Sequence, residues 1–185
     1  QDRSSAASDV YKRQTLDRSD VRRVVDVCSG SGCLGIIAAH NFTDAEVTLI
    51  ELDPKAAALA RRNVRHHALQ DRVTVVEGDA LEALADLAPG SDLIISNPPY
   101  VDAADMAALP LEYQHEPVLG LAGGDDGLSL VDAMLSLVVK QLAPGGLFVC
   151  EVGASELAMR EKYQDWPLIW PCLLYTSPSP RDLWI

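Results

Sequence analysis

The chain has 185 residues, 48% hydrophobic and 23% charged: enough apolar material for one buried core, too little length for two ordinary domains, and too hydrophobic for wholesale disorder. Asp and Glu outnumber Lys and Arg by 27 to 15, a net charge of −12, and that field repels phosphate, which argues against nucleic-acid binding through a broad basic face and favours a basic partner. No apolar run approaches the roughly 18 residues of a membrane-spanning helix, no charged-then-apolar leader opens the chain, and Cys28, Cys33, Cys150 and Cys172 form neither a CxxC pair nor a dense disulfide framework. The expectation is a reduced, soluble, cytoplasmic protein without a membrane partner.

Composition shifts at both ends. Residues 1–14 carry no hydrophobic period, and residues 171–185 hold Ser-Pro-Ser-Pro, which breaks any helix or strand. Between them, Val21–Val27 is a β-branched run ending at a Gly-rich turn, and it predicts a buried strand. The stretch CSGSGCLGIIAAH follows, with Ala and Ile filling a helix behind the glycines. Val47–Ile50 predicts a second strand. Asp53-Pro54 supplies an N-cap and a first-turn proline for a helix to about Leu69, with Ala57, Ala60, Val64 and Ala68 on one face. A third strand is expected over Arg72–Val76, a short helix near Leu81–Leu87, and a fourth strand over Asp92–Ser96.

Residues 97–126 predict a long loop. Leu128, Val131, Leu135, Val138 and Leu142 then mark a helix, stopped by Pro144-Gly145-Gly146. Leu147–Val152 predicts a fifth strand, and Ser155 caps one more helix. Strands alternating with helices predict an α/β domain: a doubly wound parallel sheet with ligand at the carboxyl ends of the strands.

Chemistry gathers at those ends. Gly30-Ser31-Gly32-Cys33-Leu34-Gly35 is a GxGxxG, which lets backbone turn tightly and approach a ligand at a helix start. Glu51 lies 21 residues past Gly30, where a carboxylate can accept both ribose hydroxyls. This pattern alone fits a dinucleotide dehydrogenase, an S-adenosylmethionine enzyme or a structural glycine turn. Asp26, four residues before Gly30, tilts the choice. A carboxylate there suits a cofactor with a cationic ammonium and repels pyrophosphate.

The deciding motif is Asn97-Pro98-Pro99-Tyr100, directly after the fourth strand. Pro-Pro can simply end a strand. Position, sequence and aromatic together fit a more specific task. An amide or aromatic amino nitrogen is a poor nucleophile because its lone pair is delocalised into the adjacent carbonyl or ring. If the Asn97 side-chain oxygen and the Pro98 carbonyl each accept one of its N–H bonds, the lone pair is aimed at a methyl donor. Tyr100 can stack on the planar group and exclude water, and the prolines hold the geometry. Cys28 and Cys33 read as small packing residues at the turn, His66-His67 as a solvated helix end, and His115 as the one histidine to watch. No spacing predicts a metal site.

DVCSGSG with NPPY resembles the class I methyltransferases that act on planar NH2 groups. Within them, nearly all of 21–170 resembles the protein N(5)-glutamine methyltransferases. The stretch NPPYVDAADMAALPLEYQHEPVLGLAGGDDGLSLVDAML, residues 97–135, resembles the branch that methylates a glutamine of large-subunit ribosomal protein three. The resemblance implies a Rossmann-like sheet of order 3-2-1-4-5 and S-adenosyl-L-methionine as cofactor. It implies that Asp26, the backbone of Ser29, Gly30, Ser31 and Gly32, and Asn97 adjoin that cofactor. It further implies that Glu51 binds ribose, that Asp79 accepts from the adenine amino group with Ala80 beside the ring, and that Asn97, Pro98 and Tyr100 hold the glutamine amide. Glu51 stands where relatives more often carry Asp, and Ala80 where many carry a bulkier residue. A Glu116-Pro117 pair falls in the same substrate loop, where a structural turn is an equal reading.

Both termini resemble translated sequencing-adapter read-through, so 1–14 and 171–185 are expected to be non-native extensions around a catalytic domain at 15–170. Removing them takes away charges of +1 and zero and leaves −13. The resemblance also implies an N-terminal helical domain and a final strand pair that this chain lacks. Without that pair LFVCEV would be an exposed apolar edge, an aggregation risk. The expected substrate is a basic ribosomal protein, with no direct nucleic-acid partner. Rival readings are the release-factor glutamine methyltransferases, an adenine exocyclic-amine methyltransferase of nucleic acid, and a non-catalytic dinucleotide-binding module. The sequence leaves the oligomeric state open.

Overall fold

The computed structural model describes residues 18–98, 128–166 and 168–170. The expected terminal extensions, the substrate loop after Pro98 with Tyr100, His115 and Glu116-Pro117, and Cys172 lie outside the described residues. In chain order the elements are β1 (Arg23–Val27), α1 (Cys33–Asn41), β2 (Glu46–Glu51), α2 (Pro54–His66), β3 (Val73–Glu77), α3 (Ala80–Asp86), β4 (Ser91–Ser96), α4 (Ser129–Gln141), β5 (Leu142–Cys150), a 3-10 turn (Gly153–Ser155) and α5 (Glu156–Lys162). The strands form one parallel sheet, as the alternation predicts, in the order β3-β2-β1-β4-β5 that the resemblance implies.

Period-two alternation divides the core between the two faces. Val24, Val47, Leu49 and Leu93 pack with Ile36 and Ala39 of α1 and Ala60 and Val64 of α2. Val25, Val27, Ile50 and Ile94 pack with Leu84 of α3, Val131, Met134 and Val138 of α4, and Met159 of α5. Two helices therefore cover one face and three the other. The register row Val76–Ile50–Val27–Ser96–Cys150 aligns the carboxyl ends of all five strands. Asp26 falls on the same face as Val24, under α1.

Three predicted boundaries are corrected. The first strand begins at Arg23 rather than Val21, because the amides of Arg22 and Arg23 both donate to Oδ2 of Asp92, at 2.7 and 2.9 Å. Pro144-Gly145-Gly146 does not separate helix from strand. The helix ends at Gln141 and β5 starts at once at Leu142, with the Pro-Gly-Gly residues taken up where the β4–β5 register slips between Ser91 and Leu93. At its far end β5 stops at Cys150, and Val152 is buried beyond it. Ser155 sits at the N-cap of α5 by position, but its side chain makes no capping bond.

The third correction concerns α2. Asp53 caps its start as expected, accepting from the Lys55 amide at 3.0 Å. The helix stops at His66 rather than near Leu69, and Ala68 is exposed with φ 53°. The Ala68 amide donates to the Arg65 carbonyl and the Leu69 amide to the Val64 carbonyl. This pair of bonds is a Schellman ending, sealed by Leu69 and Val64, which are both buried. An alanine occupies the left-handed position that glycine ordinarily fills, so no sequence signal marks the stop. No described helix is long and apolar enough to cross a membrane.

Because Ala68 bears the steric cost of a left-handed conformation and buries nothing, Ala68→Gly is expected to stabilise the fold by about 0.5–1 kcal/mol. Denaturant unfolding of the two proteins measures it, and an unchanged or lowered midpoint contradicts it.

Candidate functional site

The turn between β1 and α1 lies over the carboxyl ends of β1 and β2. It takes an unusual path, with Cys28 at φ 60°, Gly30 at 55° and Gly32 at 79°. Gly32 needs both its conformation and its size, since a Cβ there would sit 2.8 Å from Cδ1 of Leu49 and 3.3 Å from Cβ of Ala60. Gly35, one turn into α1, is closer still to the sheet. A Cβ at that position would lie 2.1 Å from Cδ2 of Leu49 and 3.0 Å from Oδ2 of Asp26. The glycine pattern thus lets α1 and α2 settle onto the first two strands.

Backbone and side-chain bonds fix the path. The Ser29 amide donates to the Ile50 carbonyl at 3.0 Å and the Gly32 amide to the Ser29 carbonyl at 2.8 Å. Asp26 is 1% exposed, and its Oδ2 accepts from the Gly35 amide at 2.7 Å. Glu51 is half-buried, with Oε2 accepting from the Gly30 amide at 2.6 Å and Oε1 from the Asp53 amide at 2.8 Å. Both carboxylates therefore grip backbone amides, a local role that spacing alone does not disclose.

The electrostatics follow from this clustering. Burial pushes the Asp26 carboxyl up from 3.8 to about 7; the Gly35 amide opposes the rise and the Glu51 charge adds to it. Burial likewise raises the Cys28 thiol to about 12, assisted by the charges of Glu51, Asp26 and Asp79 and opposed by a hydrogen bond with Ser96. Four expected or neighbouring site groups thus share one electrostatic environment, and it is negative. The Cys150 thiol, at the end of β5, is also raised to about 12, by burial first and then by Cys28 and Glu151. Cys28 is half-buried, as a packing residue should be, whereas Cys33 is exposed and does not pack at the turn.

Two buried polar atoms here have no hydrogen-bond partner among the described residues, Oδ1 of Asp26 and Oγ of Ser29. Oδ1 of Asp26 accepts when the carboxyl is ionised, the Ser29 hydroxyl both donates and accepts, and burial makes either costly to leave unpaired. Ser29 adjoins Gly30, where a Cβ would meet nothing within 4 Å, and two unpaired polar atoms in a negative environment fit a ligand that brings hydrogen-bonding groups and positive charge.

The remaining expected residues divide. Asp79 stands at the N-cap of α3, its Oδ1 accepting from the amides of Leu81 and Glu82 at 2.9 and 3.1 Å. Ala80 is buried in the core cluster with Leu84 and Ile94. Asn97 is exposed and Pro98 buried, directly after β4, whose Ser96 is in register with Val27. Asn97 is therefore one residue beyond the row from which the glycine turn departs. The buried Ser96 hydroxyl donates to the Val27 carbonyl at 2.8 Å and joins these two strand ends. Sequence reasoning missed Ser96 and Asn63. Asn63 donates from Nδ2 to the Ser31 carbonyl at 3.0 Å, and its one sequence signal is a helix-disfavoured residue inside an alanine-rich helix. Among the described residues no group of three or more His, Cys, Asp or Glu could hold a metal ion.

The raised Asp26 carboxyl gives stability a signed pH dependence. Its contribution is fully present below its unfolded value of 3.8 and is lost as pH rises toward about 7. Asp26→Asn should therefore flatten the decline in melting temperature across that interval relative to the unaltered chain. Parallel melting curves for the two proteins would contradict this.

A family model described as methyltransferase small domain matches residues 6–111. The ribosomal protein uL3 glutamine methyltransferase of Bradyrhizobium diazoefficiens is 45% identical over 166 residues, covering 89% of this chain and 50% of that protein. Its counterpart in Francisella tularensis is 41% identical over 154 residues, covering 83% of this chain and 48% of that protein. This chain spans about half the length of these relatives. Among solved structures, the hMettl16 catalytic domain in complex with a MAT2A 3'UTR hairpin has a TM-score of 0.61 at 17% identity, covering 86% of this chain and 60% of that one. At that identity the likeness concerns the fold alone. With its glycine turn, its carboxylates and its sheet order, the chain belongs to the methyltransferase small domain family.

Proposed function

We propose that this chain is the catalytic part of an enzyme that transfers a methyl group from S-adenosyl-L-methionine to the side-chain amide nitrogen of a glutamine in ribosomal protein uL3. The observation that carries the chemistry is Asn97-Pro98 at the end of β4, beside the turn that departs from β1. The names of the two relatives support the choice of uL3.

In this reading S-adenosyl-L-methionine supplies an electrophilic methyl on a cationic sulfonium. The negative environment of Asp26, Glu51 and Asp79 favours such a cation. Unpaired Oδ1 of Asp26 is an acceptor for the ammonium of its methionine part, with Ser29–Gly32 backbone alongside. Glu51 offers its remaining lone pairs to the ribose hydroxyls. The free oxygen of Asp79 accepts from the adenine amino group, near Ala80.

Asn97 and the Pro98 carbonyl accept the two N–H bonds of the substrate amide, and Tyr100 covers its plane. These acceptors also stabilise the positive charge that grows on nitrogen as the bond to carbon forms. The N–H proton becomes acidic at that stage, so no general base is assigned. The net charge of −12 suits a basic ribosomal substrate in the cytoplasm, without direct nucleic-acid or membrane contact.

The release-factor branch shares this chemistry. Incubation with purified uL3 and with a release factor, followed by mass spectrometric mapping of the methyl group, separates the two. Methylation of the release factor alone overturns the uL3 assignment, and methyl incorporation into nucleic acid alone overturns the protein-substrate reading. Asn97→Ala should reduce transfer by about 10²–10³-fold while leaving S-adenosylhomocysteine affinity within about twofold of the unaltered protein, because the lost group holds the acceptor amide. Near-normal turnover in that variant would sink the amide-clamp mechanism.

A further inference from the structure

The glycine turn is held from two directions. Asp26, Glu51 and the Ile50 carbonyl reach it from strands β1 and β2. The only side chain among the described bonds that reaches it from a helix is Asn63, which donates to the Ser31 carbonyl at 3.0 Å from the third turn of α2. One helical turn earlier on the same face, Ala60 is fully buried and lies against Gly32, so closely that a Cβ on Gly32 would be 3.3 Å from Cβ of Ala60.

The Ser31–Gly32 peptide is trans, so its C=O and N–H point in opposite directions. With the Ser31 carbonyl taken up by Asn63, the Gly32 amide is directed to the Ser29 carbonyl, at 2.8 Å. One carboxamide thereby sets the orientation of a whole peptide plane in the turn. The residue chosen is a poor helix former among Ala56, Ala57, Ala58 and Ala60, where alanine would serve the helix better.

We propose that Asn63 is a positioning residue of the methyl-donor pocket, which acts by locking the Ser31–Gly32 peptide so that the turn offers a fixed set of polar groups to the methionine part of S-adenosylmethionine. The inference rests on the reading above that this turn holds the donor. It assigns Asn63 no contact with the donor itself.

The test uses the full chain in three forms: unaltered, Asn63→Ala and Asn63→Asp. S-adenosylhomocysteine binding is measured by calorimetry well below the melting temperature, and amide exchange is followed at Gly32 and along α2. Asn63→Ala should weaken binding about tenfold, the scale of one lost hydrogen bond in a preorganised site. Asn63→Asp has the same shape but turns a carboxylate oxygen toward a carbonyl, so its loss should be larger. In both, binding stoichiometry stays full and Gly32 exchanges faster, while α2 amides keep their protection.

Unchanged affinity in both variants overturns the proposal. So does loss of α2 protection in step with affinity, which would mark Asn63 as a purely structural residue. Should Asn63→Ala fail to fold, the isosteric Asn63→Asp supplies the same measurements. Failure of the unaltered chain to bind S-adenosylhomocysteine would remove the donor reading itself, a result distinct from equal binding by all three forms.

Discussion

A carboxylate on a sheet face otherwise made of Val24, Leu49 and Leu93 is the constraint on which this fold turns. Asp26 is almost fully buried, and its one hydrogen bond, to the Gly35 amide, ties the first helix to the first strand. Burying a charge costs several kcal/mol unless something compensates it, and here the compensation is partial. One oxygen is satisfied and the other is not. The unrelieved part shows as a carboxyl that holds its proton to about pH 7. Glu51, on the neighbouring strand, grips the same turn at Gly30. Two acidic groups thus hold one loop, and a cation beside them would favour the ionised form of both.

Much of this was legible beforehand, for identifiable reasons. A parallel, doubly wound sheet follows from alternating elements and right-handed crossovers, its order follows only from the family resemblance, and five β-branched or apolar runs mark the strands. The glycine pattern marks the turn because only a residue without a Cβ fits beside Leu49. What stayed hidden depends on tertiary contact. The α2 ending is a Schellman motif with alanine in place of glycine. The Pro-Gly-Gly of β5 reads as a helix stop, yet it is accommodated inside a strand where the register slips.

The site shows the same division. Residue types and spacing single out Asp26, Glu51 and Asp79 as candidates, but not what each does in the fold. Asp79 caps α3, and Asp26 and Glu51 hold amides. Any role toward a ligand proposed for these three comes on top of a role in the scaffold, so a substitution at any of them disturbs the scaffold as well. Asn63 and Ser96 carried no spacing signal because their partners are main-chain carbonyls 32 and 69 residues away. A pattern of side chains cannot disclose a bond whose other half is backbone.

The near-contact of Gly35 with Leu49 and Asp26 also limits how this sequence can drift. The three positions, on α1, β2 and β1, share a single packing volume in which one methyl group has no room. They should behave in evolution as a joint rather than as three sites. A lineage that gains a side chain at 35 must shorten the residue at 49, or forgo the acid at 26, in nearly the same step. Divergence within the fold is thus expected to proceed by paired exchange here, while the exposed faces of the same helix change freely.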